Sequence, residues 1–367
     1  MAIPWSEPDF GTAEKRAVNK VLDEGWLTQG KETALFEKEI AKYVGSKHAV
    51  VVSNGTMALI AALLAHGIGP GDEVITPSFT FIATINAILG VGAKPVLVDS
   101  ELGTWNLSAS EAEKYITKKT RAILPVHVAG LPIDIDAFKG IARKYKVDLI
   151  EDSAEALGAK YKSKNVGGHG NTSIFSFHMA KLVTSVEGGC VVTDNSFVAN
   201  KVRMIRNHGR QELYKERKHG TEYSFEGFGL NMRMTDILSA IGRVQLKKIN
   251  KALKHRKRLV DLYKKELSGR FEFQEIPTYA TTHANMFFAF LTSKNLRSKI
   301  QKSLFQRGIS TRVTFTPAHL QQWHKRYFTS KKFENAENIF SRILSVPLGN
   351  KITTEQVEKV INALKAV

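Results

Sequence analysis

Cysteine is almost absent. Cys190 is the single one among 367 residues, so no internal disulfide forms and nothing asks for an oxidising compartment. Long apolar runs are missing too: the longest, residues 57–65, falls far short of the roughly 20 residues that span a bilayer. No basic-then-apolar leader opens the chain, where Ile3, Pro4 and Trp5 run directly into sequence of folded character. There is no internal repeat or low-complexity segment. Helix-turn-helix, zinc-finger and aromatic-platform motifs for nucleic acid are lacking as well, and no metal is called for. These gaps point to a soluble cytoplasmic protein. Its composition, 43% hydrophobic and 24% charged, is ordinary for globular chains, and its length suits a large domain plus a smaller one.

Acidic residues are the scarce charge. Asp and Glu number 35 against 53 Lys and Arg, a net +18. Such an excess suits nucleic acid, an anionic membrane face or an anionic ligand. Much of it, however, lies in Lys247, Lys248, Lys251, Lys254, Arg256, Lys257 and Arg258, interleaved at helical spacing with Leu246, Ile249, Leu253, Val260 and Tyr263. That pattern reads as the solvated face of an amphipathic helix.

Between about residues 46 and 194, short β-branched runs alternate with helical stretches. Candidate strands are 49–52, 73–76, 94–98, 122–126, 149–151, 172–176 and 189–193, with helix patterns such as 56–66 and 135–145 between them. This alternation indicates an α/β layer fold whose largely parallel sheet is covered on both faces. Ligands of such sheets gather beyond the carboxyl ends of the strands. The pattern changes after residue 247. A basic helix to about 267, strand-like segments at 271–273 and 287–291, and helical runs at 297–307 and 354–366 read as α+β. We therefore expect a large domain over 1–247 and a smaller C-terminal domain over 248–367.

Three stretches carry candidate chemistry. In Leu149-Ile150-Glu151-Asp152-Ser153-Ala154-Glu155 an apolar strand ends in acid where an open sheet presents its ligand. Asp152 there either caps the following turn or pairs with a cation such as a protonated ring nitrogen, because a buried carboxylate is costly alone. In Thr172 to Lys181, followed by Glu187-Gly188-Gly189, a strand runs into a turn with a lysine just beyond it. A desolvated lysine gives up its proton readily and can then bond a carbonyl carbon, whereas an ordinary lysine stays at the surface. In Val52-Ser53-Asn54-Gly55-Thr56 a strand passes through a glycine turn into a helix. That is either a phosphate cup at a helix N-terminus or a plain helix capped by Asn54 or Thr56.

Taken together and in order, these stretches resemble one family. The motifs are Ser-Asn-Gly-Thr-Met-Ala-Leu (53–59), Pro-Gly-Asp-Glu-Val-Ile-Thr-Pro-Ser-Phe-Thr-Phe-Ile-Ala-Thr (70–84), Pro-Val-His (125–127) and Glu-Asp-Ser-Ala-Glu-Ala-Leu-Gly-Ala (151–159). Phe-Ser-Phe-His-Met-Ala-Lys (175–181), Glu-Gly-Gly (187–189) and Asn-Met-Arg-Met-Thr-Asp (231–236) follow. They resemble the sugar aminotransferases of the DegT–StrS type, which share the aspartate-aminotransferase fold (fold type I): a large domain with a mostly parallel seven-stranded sheet plus a smaller α+β domain. The resemblance implies pyridoxal 5'-phosphate, alternating with its amine form, pyridoxamine phosphate. Lys181 would bind the cofactor and shuttle a proton, and Asp152 would pair with the ring nitrogen and keep it protonated. Phe81 would stack on the ring. Gly55, Thr56 and Ser176 would hold the phosphate, and Asn231 would reach it from the other subunit of a homodimer with shared sites. Glutamate, leaving as 2-oxoglutarate, would be the amino donor.

Departures from the family pattern bear on the substrate. Many relatives carry Gln or His where Glu155 stands, near the cofactor's phenolic oxygen. Glu at that place looks like the GDP-perosamine synthase branch, which aminates carbon 4 of a nucleotide-linked 4-keto-6-deoxy sugar. Facing a phenolate, Glu155 would need a raised pKa. Thr184-Ser185-Val186-Glu187 replaces the more usual Thr-Thr-Gly-Glu. Glu187 and His319 are further candidates for substrate contact, with a packed or solvent-facing histidine as the other reading of His319. His178 receives no catalytic role. Amination at carbon 3, a cyclitol substrate, a non-catalytic cofactor-binding protein and a nucleic-acid scaffold are the competing readings.

Overall fold

The computed structural model describes residues 2–210, 224–328 and 332–367. Seven strands build the main sheet: β1 (His48–Val52), β2 (Glu73–Pro77), β3 (Lys94–Val98), β4 (Thr120–Ile123), β5 (Asp148–Asp152), β6 (Thr172–Ser176) and β7 (Gly189–Thr193). Their order across the sheet is β1-β7-β6-β5-β4-β2-β3. The strands β6-β5-β4-β2-β3 run parallel, and β7 lies antiparallel between β1 and β6, so it is the one reversed strand. All seven expected strands are present, with ends displaced by a few residues where hydrogen bonding rather than apolar content sets the limit. β4, for instance, starts at Thr120 and stops before the expected 126.

The strands form because Val, Ile and Ala face helices on both sides. The helix Gly55–Ala65 is apolar nearly all round, and Ala58, Leu59, Ala61, Ala62 and Leu63 are buried among Val50, Val74, Ile150 and Val191. A helix of that character belongs under a layer rather than at a surface. Its start is fixed by Asn54, whose Oδ1 accepts the Met57 N–H at 2.9 Å, a cap worth about 1 kcal/mol.

The helix Asp236–Leu267 runs unbroken through residue 247. Its first half packs beside the large sheet, where Leu246, Ile249 and Ala252 meet Phe36, Phe175 and Phe177. Its second half, with Leu259, Val260, Tyr263 and Leu267, packs on a small antiparallel sheet of Glu272–Phe273, Phe288–Leu291 and Ile343–Val346. The solvated-face reading of this helix holds for Lys247, Lys251, Lys254, Lys257 and Arg258, which are exposed, but it fails for Arg256. Arg256 lies among the buried residues at 1% exposure. Its position in the 3.6-residue cycle puts it beside Leu259 and Val260 rather than with the neighbouring lysines. Among the described residues no helix is long and apolar enough to cross a membrane.

Candidate active site

Strand β5 ends in two consecutive acids that turn to opposite faces. Glu151 points into the interior, where its Oε2 lies 2.9 Å from His127 Nε2, both side chains being fully buried. The other ring nitrogen of His127 accepts the Ile133 N–H at 3.3 Å, so Nε2 carries the proton and donates to the carboxylate. Asn171 donates to the second oxygen of Glu151. Asp152 faces the other way, toward the mouth of the sheet. Its Oδ2 accepts the Thr84 hydroxyl at 2.8 Å and its Oδ1 the Ala154 N–H at 3.1 Å. The Asp152 carboxylate therefore caps the turn after β5 and still has lone pairs without a donor among the described residues. Burial pushes its pKa up, against the opposing pull of the Thr84 hydroxyl, the Ala154 amide and the nearby Lys181 and His127.

One turn further, Glu155 closes on the lysine. Its Oε1 stands 3.5 Å from Lys181 Nζ, an ion-pair distance, and its Oε2 accepts the Ala129 N–H at 2.9 Å. Ala129 sits at φ 58°, in the left-handed region, within the short turn Val128–Gly130. The Glu155 carboxyl is raised from its ordinary value chiefly by burial; Lys181 and the Ala129 amide oppose the rise and Asp152 adds to it. The expected direction is thus present, but it arises from desolvation inside the protein.

Two glycines let main chain approach main chain here. A Cβ on Gly55 would lie 2.9 Å from Ser176 Cβ and 3.1 Å from Ser176 Oγ, so the first helical turn and the end of β6 nearly touch. A Cβ on Gly189 would lie 2.3 Å from Asn54 O, which pins the start of β7 to the same turn. The first-turn N–H groups of Gly55 and Thr56 have no acceptor within the helix, and they carry the positive end of its dipole at the turn that Ser176 adjoins. Ser176 Oγ itself accepts the His178 N–H at 3.4 Å. Gly55, Thr56, Ser176, Asp152, Glu155 and Lys181 are thereby held at adjoining strand ends.

The remaining candidates stand as follows. Phe81, 59% exposed, leans on Phe315 with ring centroids 5.9 Å apart, three residues before the Thr84 that holds Asp152. Asn231 is exposed and bridges to Asn207. Glu187 is half exposed, 3.8 Å from His178 Nε2. His319 is packed: its ring lies 4.6 Å from Phe333, its Nε2 is 3.3 Å from Glu337 Oε1, and burial lowers its pKa. Sequence reasoning did not single out Thr84, the Ala129 amide or the His127–Glu151 pair. Thr84 and His127 do lie inside quoted motifs, but a main-chain N–H such as that of Ala129 leaves no trace in residue type.

Sequence and fold both match known proteins. The sequence matches the DegT/DnrJ/EryC1/StrS aminotransferase family over residues 8–365. Helicobacter pylori PseC, an aminotransferase involved in the biosynthesis of pseudoaminic acid, is 30% identical with a TM-score of 0.93, over 100% of this chain and 99% of that one. S. venezuelae DesV is 32% identical with a TM-score of 0.90, over 97% and 94% of the two chains. Spr1654 from Streptococcus pneumoniae, in its PLP-form, is 28% identical with a TM-score of 0.93, over 100% and 98%.

Proposed function

Because the chain belongs to the DegT/DnrJ/EryC1/StrS aminotransferase family, we propose that it moves the amino group of glutamate onto carbon 4 of a nucleotide-linked 4-keto-6-deoxy sugar, acting in the cytoplasm as a homodimer. The enzyme is a pyridoxal-phosphate-dependent aminotransferase of fold type I, built on a seven-stranded, mostly parallel sheet. The observation that carries the reading of the site is Lys181 Nζ, 3.5 Å from Glu155 and beside the buried Asp152.

The residues present fit the cofactor. Asp152 is a buried carboxylate with one hydroxyl and one amide donor, and it can still accept a protonated ring nitrogen. Gly55 leaves Ser176 close to the first-turn N–H groups, a donor set suited to phosphate. The exposed Phe81 offers an apolar ring for stacking. When bound, pyridoxal phosphate supplies an electron sink for negative charge at the donor's α-carbon.

In this reading Asp152 keeps the ring nitrogen protonated, and Thr84 fixes the carboxylate that does so. Lys181 holds the cofactor and then takes and returns a proton at Nζ. Glu155, oriented by the Ala129 amide, positions that amine. The helix beginning at Gly55, with Thr56 and Ser176, anchors the phosphate, and Asn231 reaches the phosphate of the partner subunit's site. The exposed Glu187 belongs to the sugar side, whereas His319, packed against Phe333 and Glu337, follows the packed reading. The case for carbon 4 rests on Glu155 and its likeness to GDP-perosamine synthases. The product is an amino sugar for surface polysaccharide or a related glycan. The test is an absorbance spectrum of purified protein with pyridoxal phosphate, before and after glutamate. A visible band that disappears on adding glutamate, and returns with a nucleotide-linked 4-keto sugar, is expected. A band that never forms, or one that glutamate leaves untouched, overturns the proposal.

A further inference from the structure

Arg256 is buried inside the fold, yet among the described residues it has no carboxylate partner. Its Nε donates to Asn350 Oδ1 at 2.7 Å, and its Nη1 donates to Asn285 O at 3.1 Å and Met286 O at 2.7 Å. Burial without a counter-charge pulls its pKa down to about 10. A guanidinium held only by neutral oxygens is an expensive way to fill space, since an apolar side chain of similar volume would avoid the desolvation.

What distinguishes Arg256 is where its partners lead. Asn350, on one side, uses its amide Nδ2 to donate to Leu182 O at 3.1 Å, the residue after Lys181. On the other side, Met286, whose carbonyl Arg256 holds, donates its N–H to Ala129 O at 3.0 Å. Ala129 N–H in turn donates to Glu155 Oε2. Glu155 Oε1 then faces Lys181 Nζ, which closes the ring. The neighbouring link, Ala284 N–H to Gly130 O at 3.0 Å, holds the same turn from the same strand approach.

We infer that Arg256 is a positioning residue for the Lys181–Glu155 pair: one buried guanidinium, through Asn350 and through Met286 and Ala129, fixes both partners relative to each other. The inference rests on the proposed roles of Lys181 and Glu155. Arg256 touches neither substrate nor cofactor in this scheme. It sets the segment that carries the amine and the turn whose amide aims the carboxylate. Both arms pass through main-chain groups, which explains how a basic residue on the long helix acts on a site built from the large sheet.

The experiment compares Asn350→Ala and Arg256→Met with Tyr263→Phe. The last removes a buried hydrogen bond (Tyr263 OH to Pro347 O, 2.9 Å) two turns along the same helix but outside the ring. The first readout is the rate at which Lys181 in cofactor-free protein reacts with an amine-directed ester, measured by peptide mass spectrometry and normalised to exposed lysines. The second is the pH midpoint of the visible band in cofactor-loaded protein. Freeing one hydrogen bond's worth of constraint should change the Lys181 rate about fivefold in Asn350→Ala, and the pH midpoint should move in the same variant. Tyr263→Phe should match wild type in both readouts. If Arg256→Met does not fold, Asn350→Ala decides alone. Wild-type values in folded Asn350→Ala, or an equal change in Tyr263→Phe, overturn the inference. A wild-type protein without a visible band would instead sink the proposed function of Lys181, and the labelling ratios would still decide whether the ring orients it.

Discussion

Val186 stands where the family usually places glycine, and its backbone shows why glycine would be at ease there. Its φ is 72°, in the left-handed region, where a Cβ costs roughly 1–2 kcal/mol and a β-branched side chain is a true outlier. The side chain is exposed, so truncation forfeits little burial. Glycine gives back about 0.5–1 kcal/mol through the freedom it adds to the unfolded chain. Taken at their midpoints, the second subtracted from the first leaves Val186→Gly more stable by about 0.75 kcal/mol. In a chain this long, 1 kcal/mol moves Tm by only about 1 °C, so a local measurement is the better assay. The Ser185 N–H bonds to Phe177 O at 2.9 Å across this turn, and the Val186 N–H to Thr184 Oγ1 at 3.0 Å. If opening the turn costs that much more, hydrogen exchange at Ser185 should slow by about two- to fivefold in Val186→Gly. Exchange that is unchanged or faster would refute the strain argument, for then the valine side chain must contribute contacts that outweigh its backbone.

Further outcomes test the site. Lys181→Ala should abolish turnover and the visible band together; retained turnover in a purified preparation would remove Lys181 from its role. Gly55→Ala forces a Cβ to within 2.9 Å of Ser176 Cβ and should weaken pyridoxal phosphate binding, by equilibrium dialysis, by about tenfold or more, the equivalent of one lost charge-assisted hydrogen bond. Thr84→Val takes the hydroxyl from Asp152 Oδ2 and should lower kcat by about tenfold, whereas an unchanged kcat would make Thr84 a packing residue only. Glu155 gives a pH test. Burial raises its folded pKa above the ordinary 4.5, so the folded protein holds that proton more tightly than the unfolded chain does. Stability that is complete below the ordinary carboxylate range is therefore lost as pH rises through the raised value. In cofactor-free protein, Glu155→Gln should gain stability relative to wild type as pH rises from 4.5 upward; a difference that stays flat refutes the burial.

The sheet was legible because its strands are runs of Val, Ile and Ala between turn residues, and no competing pattern overlaps 49–52 or 172–176. Asp152 and Lys181 were candidates because one closes strand β5 and the other lies shortly beyond β6, but each also had an ordinary reading, and only the family motifs in order singled them out. Two kinds of feature were hidden. The Ala129 amide orients Glu155 through main chain, which any residue type supplies. Arg256 sits in a stretch with Lys254, Lys257 and Arg258, and it was read with them as part of the solvated face. Its burial depends on its angle around the helix relative to Met286 and Asn350, residues far along the chain. Periodicity shows which neighbours on a helix share a face. It does not show which distant carbonyls will need a donor.

The reversed strand β7 has a consequence for how the chain is made. β1 lies at the border of the sheet, and among the described residues β7 is its sole partner there, Val52 pairing with Gly189. While the polypeptide emerges from the ribosome, β1 and the Asn54–Gly55 turn are out long before residue 189 exists. They wait without a neighbour, as an apolar strand with a bare hydrogen-bonding edge. The Asn54–Gly55 turn and the end of β6, proposed above to share the phosphate, are thus locked together only once nearly 200 residues have been translated, and until then the unpaired edge of β1 is open to other strands.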